Sequence, residues 1–512
     1  MKNKKFPLII LGLIIVFGFI LRIYNLGEQS FWIDEGFTMN AVLSTLEKGY
    51  PILDSGFHYS RSILNTYIIS GFVAIFGNNH LTGRLPAVLF GTGLIYLIYV
   101  FTKKLFKDEK IALLGSALIA FSYIHIAWSR QARMYMQFEF FFYLSLLLFY
   151  LMLRKFSYQK LIALSLSTLA AILSHEFGLL LIGVYLFGAL LYYWGPFVKD
   201  EGAVQVFKKK LNNLIRKYYL VLFVILAVIV PLISIKFYAH TLSRLTNFFA
   251  EGASAQEYFA GGWFILNLVD FYWLGVFCAI LGMIIYIIKN KNLYNGLLLF
   301  ISFVLPFFII ISSTDLFHLR YLTFLLPLLY VFTAYFIVQV VSYVFVKIKK
   351  IQEFESLGYL LIVILIIVFS ANFIFLPTTY YKLEYMTPQP NFAGAYAAIR
   401  DDGFDENSII ISPYTAMDKV YLGRSDYWYP ISLSGKLREI QNRKKSIYNN
   451  SPAVTGFAQF RDKDAYIIVD DMAINRLGDK FLEILKDEHE LIYNDHSNEL
   501  SLSHIWVFKV RN

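Results

Sequence analysis

Two adjacent carboxylates, Asp34 and Glu35, stand out because they lie in a short aromatic segment, Phe31-Trp-Ile-Asp-Glu-Gly36. A carboxylate pair in such a segment suits a general base, a metal ligand, or both. The alternative is structural: Asp34 precedes the amphipathic stretch 37–46, and acidic residues favour the N-terminus of a helix. The dipeptide alone leaves both interpretations open.

Several arginines have a spacing or a setting that suits an anionic ligand. Arg130 and Arg133 are three residues apart, which predicts that both lie on one helix face. Two such guanidinium groups suit a phosphate or diphosphate, because arginine binds oxyanions through paired hydrogen bonds. Arg84, in a Gly-Arg-Leu-Pro segment, could bind a phosphate or a lipid headgroup. For Arg84 and the polar cluster His58–Arg61, the alternative is a side chain that reaches the membrane interface.

Further candidates lie at short polar breaks between apolar runs. His175 and Glu176 form one such break and could supply metal ligands or a simple imidazole–carboxylate hydrogen bond. A divalent metal site is therefore conceivable from four residues, although their spacing does not show that they meet: Asp34, Glu35, His175 and Glu176. Another break contains His318, Arg320 and Tyr321, and Tyr135 follows the arginine pair. The sequence contains no P-loop, dinucleotide-binding glycine motif, zinc-protease helix motif or nucleophile elbow.

The composition excludes a soluble globular enzyme. Hydrophobic residues make up 57% of the 512 residues, against about 45–50% in average soluble domains. Charged residues are only 16%, and aromatic residues reach 18%, which a membrane protein can hold in its spans and interfacial belts. The single cysteine, Cys278, excludes an intrachain disulfide and a cysteine-based zinc site.

The net charge of +10 is unevenly distributed along the chain. Residues 1–377 carry +13 and residues 378–512 carry −3. In the first part the basic residues cluster in loops between apolar runs, as expected for cytoplasmic loops. Positive charge therefore indicates membrane topology rather than nucleic-acid binding. The chain divides into a membrane domain, 1–377, and a soluble domain, 378–512, large enough to bury its own core.

One apolar run, 63–76, has about 14 residues, which is short for a span and typical of an interfacial helix. Setting it aside predicts about eleven spans, a cytoplasmic N-terminus, a first outer loop over about 25–84 and an extracytoplasmic C-terminal domain. The outer loops then hold the candidate residues named above. The predicted spans are 6–24, 85–102, 111–127, 137–153, 161–174, 178–194, 218–238, 264–288, 293–313, 321–346 and 357–376.

The C-terminal part reads as a mixed α/β domain. Short strand patterns cover 408–412, 465–469 and 505–510, and helical patterns cover 392–400 and 477–486. Asp470 and Asp471 follow a strand end, where ligands often bind, although a helix cap is the commoner explanation. The aromatic run Tyr427–Tyr429 could contact an acceptor or the membrane. We expect this domain to shape acceptor access or assembly.

Four motifs in this order resemble the GT-C glycosyltransferases of the protein mannosyltransferase and aminoarabinose transferase group, family 39. They are the outer-loop Asp34-Glu35, the Gly-Arg-Leu-Pro leading to Phe-Gly-Thr-Gly over 83–93, the Ser-Arg-Gln-Ala-Arg-Met-Tyr over 129–135, and the Arg-Tyr-Leu…Pro over 320–327. Each motif alone is weak. The resemblance covers most of residues 1–377, and the four motifs in this order are fairly specific. Many relatives have His-Pro-Pro or Lys-Pro-Pro where this chain has His58-Tyr-Ser-Arg61.

The resemblance implies a sugar donor carried on polyprenyl or dolichyl monophosphate and an inverting transfer to an acceptor hydroxyl outside the membrane. The acceptor would be a protein, a lipid or a cell-envelope glycan. Asp34 would be the general base and Glu35 its partner or a metal ligand. The residues matched to the donor phosphate or substrate are Arg61, Arg84, Arg130, Arg133, Tyr135, Arg320 and Tyr321, with His58, His175, Glu176 and His318 as secondary candidates.

The organism type and the competing function follow from the same comparison. No long insertion resembles the β-trefoil domains of eukaryotic protein mannosyltransferases, which indicates a bacterial or archaeal plasma-membrane protein. The alternative function is a polytopic secondary transporter or lipid flippase with an outer domain. Such proteins place polar residues near mid-span and often have two related halves. Here the polar residues fall at the predicted outer ends of the spans, which favours the transferase.

Overall fold

The computed structural model describes residues 6–194, 275–289, 294–313, 319–347, 390–431, 445–446, 449–454, 456–495 and 504–511. These residues form two compact units. The first contains 6–22, 88–129 and the described residues from 134 to 347, and the second contains 23–87, 130–133 and the described residues from 390 onward. The predicted domain boundary at 377 and the predicted spans 218–238 and 357–376 lie outside the described residues.

The helices in chain order are α1 (Phe6–Ile23), α2 (Ile33–Lys48), α3 (Ile63–Phe76), α4 (His80–Phe106), α5 (Glu109–Ala120), α6 (Tyr123–Ser129), α7 (Tyr135–Arg154), α8 (Tyr158–Ser174), α9 (Leu180–Trp194), α10 (Gly275–Lys289), α11 (Tyr294–Ser313), α12 (Leu326–Lys347), α13 (Phe392–Asp401), α14 (Thr415–Leu422), α15 (Asp471–Leu477) and α16 (Asp479–Glu488). The strands are β1 (Ile409–Ser412), β2 (Tyr427–Trp428), β3 (Ala465–Asp470), β4 (His489–Asn494) and β5 (Ile505–Val510).

The apolar helices match the predicted runs. Among the described residues, four helices are long and apolar enough to cross a bilayer: α1, α4, α7 and the segment Thr323–Tyr343. The helices α5 and α6 form a fifth candidate span that is bent by 58°. Shorter apolar helices include α8, α10 and α3, which has the bounds predicted for the interfacial helix. The predicted span 111–127 is therefore not a straight helix.

A buried arginine explains how the first unit, which contains the apolar helices and is called the membrane unit below, tolerates the break between α5 and α6. Arg22, at the end of α1, is fully buried. Its guanidinium donates to the carbonyl oxygens of Ile119 (3.1 Å) and Ala120 (2.9 Å), the last residues of α5, and to Ser129 Oγ (3.1 Å). Carbonyls released at a helix break need donors where water is absent. Arg22 supplies them within the membrane unit.

A second buried polar group joins three helices of the membrane unit. His125 Nε2 lies 2.9 Å from Glu139 Oε1, and both side chains are inaccessible to solvent. His125 Nδ1 lies 2.8 Å from Ser122 Oγ, which in turn lies 2.9 Å from the hydroxyl of Tyr330. These hydrogen-bonded side chains connect α6 to α7 and α12. Buried polar groups of this kind specify one helix arrangement when they are hydrogen-bonded.

Among its described residues, the second unit contains a five-stranded mixed sheet with strand order β2-β1-β3-β5-β4. The strands β2, β1 and β3 run parallel to one another. The strand β5 is antiparallel to both of its neighbours, β3 and β4. All six residues of β3 are buried, as expected for a central strand with both faces covered. The predicted strands at 408–412, 465–469 and 505–510 are present within one residue, whereas β4 and helix α14 were not predicted.

Residues between 31 and 73 and the described C-terminal residues share one hydrophobic core in the second unit. Gly36 shows how closely α2 approaches α14, because a Cβ atom at this position would overlap the sulfur of Met417. The segment with Asp34 and Glu35 is therefore packed on the C-terminal domain. The N-terminal residues of the second unit that belong to this core are Phe31, Ile33, Met39, Val42, Ile69 and Val73.

Candidate active site

The two adjacent carboxylates have different environments, although both lie in the first turn of α2. The side chain of Glu35 is inaccessible to solvent, whereas that of Asp34 is 23% exposed. The N-cap residue is Trp32, so Asp34 is not the helix cap that the sequence left open. Instead, the Glu35 carboxylate accepts the Trp32 backbone N–H at 3.3 Å. The structural role that could have belonged to Asp34 is thus filled by Glu35.

Arg84, near the start of α4, is the main partner of Glu35. Its Nε donates to Oε1 at 2.8 Å and its Nη2 donates to Oε2 at 2.7 Å. The backbone N–H of Ala132 also donates to Oε1, at 2.7 Å. Arginine matches a carboxylate in this two-bond geometry, which gives a fixed orientation as well as energy. Glu35 therefore joins three segments of the second unit: the start of α2, the start of α4 and residues 130–133.

The other donors of Arg84 hold the segment that precedes α2. Nη1 donates to the carbonyl oxygens of Leu26 (3.0 Å) and Gln29 (2.8 Å), and Nη2 donates to that of Ser30 (2.9 Å). With the two bonds to Glu35, all five N–H donors of the guanidinium have protein acceptors. This geometry fits a residue that positions the 26–35 segment, and it leaves no donor of Arg84 for a phosphate.

Arg133 is the partner of Asp34. Its Nη1 donates to the backbone carbonyl of Asp34 (2.8 Å) and to Thr38 Oγ1 (2.9 Å), and its Nη2 lies 3.6 Å from Asp34 Oδ2. Tyr59 adds its hydroxyl at 3.4 Å from Nη1. The guanidinium is 2% exposed. Arg133 therefore fixes the first turn of α2 and places a positive charge beside the partly exposed Asp34 carboxylate.

The prediction that Arg130 and Arg133 share one helix face is wrong. Residues 130–134 form a turn between α6, which ends at Ser129, and α7, which begins at Tyr135. Arg130 points to a different target, because its guanidinium donates to the carbonyl oxygens of Tyr24 (2.5 Å) and Asn25 (3.3 Å), just after α1. Spacing alone cannot distinguish a turn from a helix when apolar residues flank the polar run.

A second group of predicted residues lies in the membrane unit. The His175 ring is 6.0 Å from the Tyr135 ring and 6.4 Å from the Tyr321 ring, between centroids. The guanidinium of Arg320 lies 5.6 Å from the centre of the Tyr321 ring. The backbone N–H of Phe177 donates to His175 Nδ1 at 3.2 Å, so His175 caps the short helical turn that begins at Glu176.

The remaining predicted residues have simpler settings. His58 and Arg61 are exposed in the segment between α2 and α3, where His58 pairs with Ile52 as an antiparallel bridge. His318 lies outside the described residues. The four residues predicted as a possible metal site do not form one. Within the described residues, no group of three or more His, Cys, Asp or Glu side chains comes together to hold a metal ion. Glu35 in particular has its carboxylate committed to Arg84 and Ala132.

Two buried aspartates in the C-terminal domain have perturbed pKa values. Burial raises the pKa of Asp418 from 3.8 to about 7, although Tyr396 and Ser425 donate hydrogen bonds to its carboxylate. Burial also raises the pKa of Asp470 to about 6. Asp470 caps α15 by accepting the N–H of Ala473, which agrees with the helix-cap explanation for this strand end.

Tyr429, in the aromatic run for which the sequence suggested an acceptor or membrane contact, is buried in the core. Its hydroxyl donates to the Ile468 carbonyl.

Several residues with clear hydrogen-bonding roles were not predicted from the sequence: Arg22, His125, Glu139, His80 and Tyr421. The first three had a usable signal, because ionisable residues inside apolar runs are costly unless they have partners. Tyr421 had none. Its hydroxyl accepts from the Phe31 N–H and lies within hydrogen-bond distance of His80. In the sequence, Tyr421 is 390 residues from Phe31 and 341 residues from His80.

Known proteins share parts of this sequence and most of this fold. Residues 60–235 match the family model described as dolichyl-phosphate-mannose-protein mannosyltransferase. An uncharacterized protein of Aquifex aeolicus (strain VF5) is 30% identical over 194 residues, which are 37% of this chain. The chain spans only 38% of the length of that relative.

Two solved structures extend the comparison to the whole fold. ArnT from Cupriavidus metallidurans, crystallised with undecaprenyl phosphate, matches with a TM-score of 0.61 and 13% identity over 99% of this chain and 98% of its own. The Archaeoglobus fulgidus oligosaccharyltransferase, crystallised with Zn and sulfate, matches with a TM-score of 0.53 and 14% identity over 81% of this chain and 62% of its own.

These similarities define the class of protein. The chain is a multi-pass membrane protein with the GT-C fold and a C-terminal sheet region. The resemblance to the protein mannosyltransferase and aminoarabinose transferase group, which four short motifs indicated, is confirmed by the family model and by the fold of ArnT.

Proposed function

We propose that this protein is a glycosyltransferase that moves a sugar from a polyprenyl or dolichyl monophosphate carrier to an acceptor hydroxyl outside the membrane. Two comparisons support this reaction class. The matched family model is named for a dolichyl-phosphate-linked donor, and ArnT was crystallised with undecaprenyl phosphate. The sugar is a hexose or pentose, and the acceptor is a protein, a lipid or a cell-envelope glycan.

The observation that carries the proposal is the different environment of the two adjacent carboxylates. Glu35 is buried and bonded on both oxygens, so it positions the site. Asp34 is 23% exposed and is held by Arg133 through its own backbone carbonyl and through its neighbour Thr38. Carboxylates in unlike environments commonly take unlike roles. Asp34 is therefore the general base and Glu35 the residue that positions it.

The reaction follows from this assignment. Asp34 accepts the proton of the acceptor hydroxyl while that oxygen forms a bond to the anomeric carbon. The bond between the anomeric carbon and the phosphate oxygen breaks, and its electron pair leaves with the polyprenyl phosphate. Because the acceptor attacks opposite to the leaving phosphate, the configuration at the anomeric carbon inverts. No covalent sugar–enzyme intermediate is needed.

The leaving phosphate needs positive charge nearby. Arg84 is assigned to positioning, since all five of its donors are engaged within the second unit. Arg61, which is exposed in the second unit, is our candidate for the phosphate, and Arg320, in the first unit with Tyr321 beside it, is a candidate from the sequence resemblance alone. Arg133 and Arg130 hold α2 and the segment after α1, as their hydrogen bonds indicate.

We further infer a cytoplasmic N-terminus and an outer site, with residues 1–377 as the membrane domain and 378–512 as the outer domain. The basic loops of the sequence support this orientation. The outer location puts Asp34 where a translocated lipid-linked sugar would be available. The bacterial or archaeal plasma membrane is the location that agrees with the sequence.

A donor panel tests the reaction class directly. The purified full-length protein in detergent is incubated with polyprenyl-phosphate hexoses and pentoses and with extracts that contain candidate acceptors. Mass spectrometry then measures the free polyprenyl phosphate and the mass added to the acceptor. We expect both products from one lipid-linked donor and none from the corresponding nucleotide sugar. Movement of intact lipid-linked sugar across vesicles, without cleavage of any donor, would instead support the flippase alternative.

A further inference from the structure

The segment between α1 and α2 has two sets of backbone partners. Arg84 binds the carbonyl oxygens of Leu26, Gln29 and Ser30, as described above. Two other backbone groups of this segment, the Gly27 carbonyl and the Phe31 N–H, bind elsewhere. They are held by His80, at the start of α4, and by Tyr421, on α14 of the C-terminal domain.

The hydrogen bonds of this second set form a directed chain. The Phe31 N–H donates to the Tyr421 hydroxyl oxygen at 3.0 Å, and the hydroxyl lies 2.9 Å from His80 Nε2. His80 Nδ1 lies 3.2 Å from the Gly27 carbonyl oxygen, which can only accept. Nδ1 therefore carries a proton. When the ring is neutral, Nε2 is the acceptor and the tyrosine hydroxyl donates to it, which is the one arrangement of protons that satisfies all three contacts in that state.

Packing fixes the position of the tyrosine. Its ring stacks on that of Tyr396 with centroids 5.0 Å apart and an angle of 15°. The Arg400 guanidinium donates to the Tyr421 carbonyl at 3.0 Å. On the same helix, Met417 lies against Gly36, directly after the carboxylate pair. The C-terminal domain thus contacts the start of α2 through a hydrogen bond before the carboxylates and an apolar contact after them.

We propose that Tyr421 is a positioning residue for the transfer reaction. Through Phe31 and His80 it fixes the segment that leads into α2, and thereby the position of Asp34. This proposal rests on the proposed function, because it assumes that Asp34 acts on the acceptor. It assigns the C-terminal domain a direct part in arranging the catalytic carboxylate, in addition to any contact with the acceptor.

The test uses Tyr421→Phe in the full-length protein, since phenylalanine keeps the ring stacking and removes only the hydroxyl. Two readouts are measured: steady-state transfer, and hydrogen–deuterium exchange of peptides covering residues 23–37. We expect faster exchange in this segment and a kcat about tenfold to a hundredfold lower, because small misplacements of a catalytic group are costly. The KM for the lipid-linked donor should stay within about twofold of wild type, since Tyr421 is not proposed to bind the donor.

Tyr466→Phe is the matched control. Tyr466 is also buried in the C-terminal domain, where its hydroxyl donates to Asp402 at 2.9 Å and accepts from Lys509 at 3.2 Å. We expect this variant to keep wild-type kcat and wild-type exchange over residues 23–37. An equal loss of kcat in both variants would show general loosening of the domain and overturn the proposal.

His80→Leu and the double variant His80→Leu/Tyr421→Phe test whether the two residues act together. Leucine can neither accept from Tyr421 nor donate to Gly27, so we expect the double variant to lose no more kcat than the worse single variant. Independent, multiplied losses would overturn the proposal. Unchanged exchange over 23–37 in Tyr421→Phe would overturn it as well. If wild type transfers no lipid-linked sugar while the exchange changes as expected, the proposed function fails and the positioning contact stands.

Discussion

Glu35 and Arg84 form a buried, two-bond ion pair, with N–O distances of 2.8 and 2.7 Å and side chains that are 0% and 3% exposed. The same guanidinium holds three carbonyl groups of the segment before α2. One member of the conspicuous Asp-Glu pair is therefore part of the framework of the site. That leaves Asp34 as the carboxylate of the pair with a partly exposed side chain, which lies beside Arg133.

Breaking this pair should destabilise the protein strongly. Glu35→Gln leaves the positive charge of Arg84 buried without its anion. Arg84→Lys removes the planar guanidinium, which donates to five acceptor atoms at once. We expect each variant to lose on the order of 3 kcal/mol of unfolding free energy. Thermal unfolding of the full-length protein in detergent measures the loss.

The exposed pair Lys48–Asp54 provides the control for this experiment. Its N–O distance is 2.9 Å, close to that of the buried pair, but its side chains are 33% and 38% exposed. Asp54→Asn should cost less than about 1 kcal/mol, as exposed ion pairs usually do. Equal losses for Asp54→Asn and Glu35→Gln would contradict the structural role assigned to the buried pair.

Arg22 should be essential for the bent arrangement of α5 and α6. Arg22→Leu removes the side-chain donor of the Ala120 carbonyl at the break and one of the two donors of the Ile119 carbonyl, and a buried unsatisfied group costs about 1–3 kcal/mol. We expect a clear drop in the unfolding temperature in detergent. Arg154→Met, at the exposed end of α7, is the control and should leave that temperature nearly unchanged. A stable Arg22→Leu protein would show that the break needs no buried donor.

The sequence allowed most helix positions to be predicted, and the contacts of the site much less. Apolar runs of a given length specify spans, so the bounds of α3 and α7 were close to those observed. Nothing in the sequence indicated that Glu35, rather than Asp34, would take the buried arginine, because neighbours on a helix turn can face different surroundings. The contact of Tyr421 with Phe31 depends on tertiary packing across 390 residues.

The missed and mistaken elements have physical reasons as well. The strand β4 was not predicted, and two of its residues, Glu490 and Leu491, are exposed, so it lacks the buried pattern of β3. The spacing of three residues between Arg130 and Arg133 fits one face of a helix, which is the reason for that prediction. Residues 130–134 instead form a turn that is held by hydrogen bonds to Glu35 and Asp34. Long-range partners thus decided the local conformation.

The stability of the protein should fall as the pH rises toward neutrality because of Asp418. Its pKa is about 7 in the folded protein against an ordinary 3.8, so the folded state keeps a proton that the unfolded chain has lost. This contribution is complete below about pH 4 and is lost as the pH rises through about 7. Asp418→Asn mimics the protonated form and can keep both hydrogen bonds, from Tyr396 and with Ser425.

We therefore expect Asp418→Asn to unfold at a higher temperature than wild type at pH 8 and at a similar temperature at pH 4.5. Asp470, with a pKa of about 6, acts in the same direction, so some pH dependence should remain in the single variant. Thermal unfolding of both proteins between pH 4.5 and 8 provides the comparison. A variant less stable than wild type at pH 8 would show that the carboxylate, and not the acid, is the favoured form.

The most direct test of the account is transfer from a polyprenyl-phosphate sugar by wild type and by Asp34→Asn, with Asp54→Asn as an exposed aspartate control. Asparagine keeps the shape of the side chain and the backbone bond from Arg133 but cannot accept the proton. We predict wild-type unfolding temperature and donor binding, with transfer reduced by a factor of about 100 to 10,000 in Asp34→Asn only. Transfer at the wild-type rate in that variant would contradict the assignment of Asp34 as the general base.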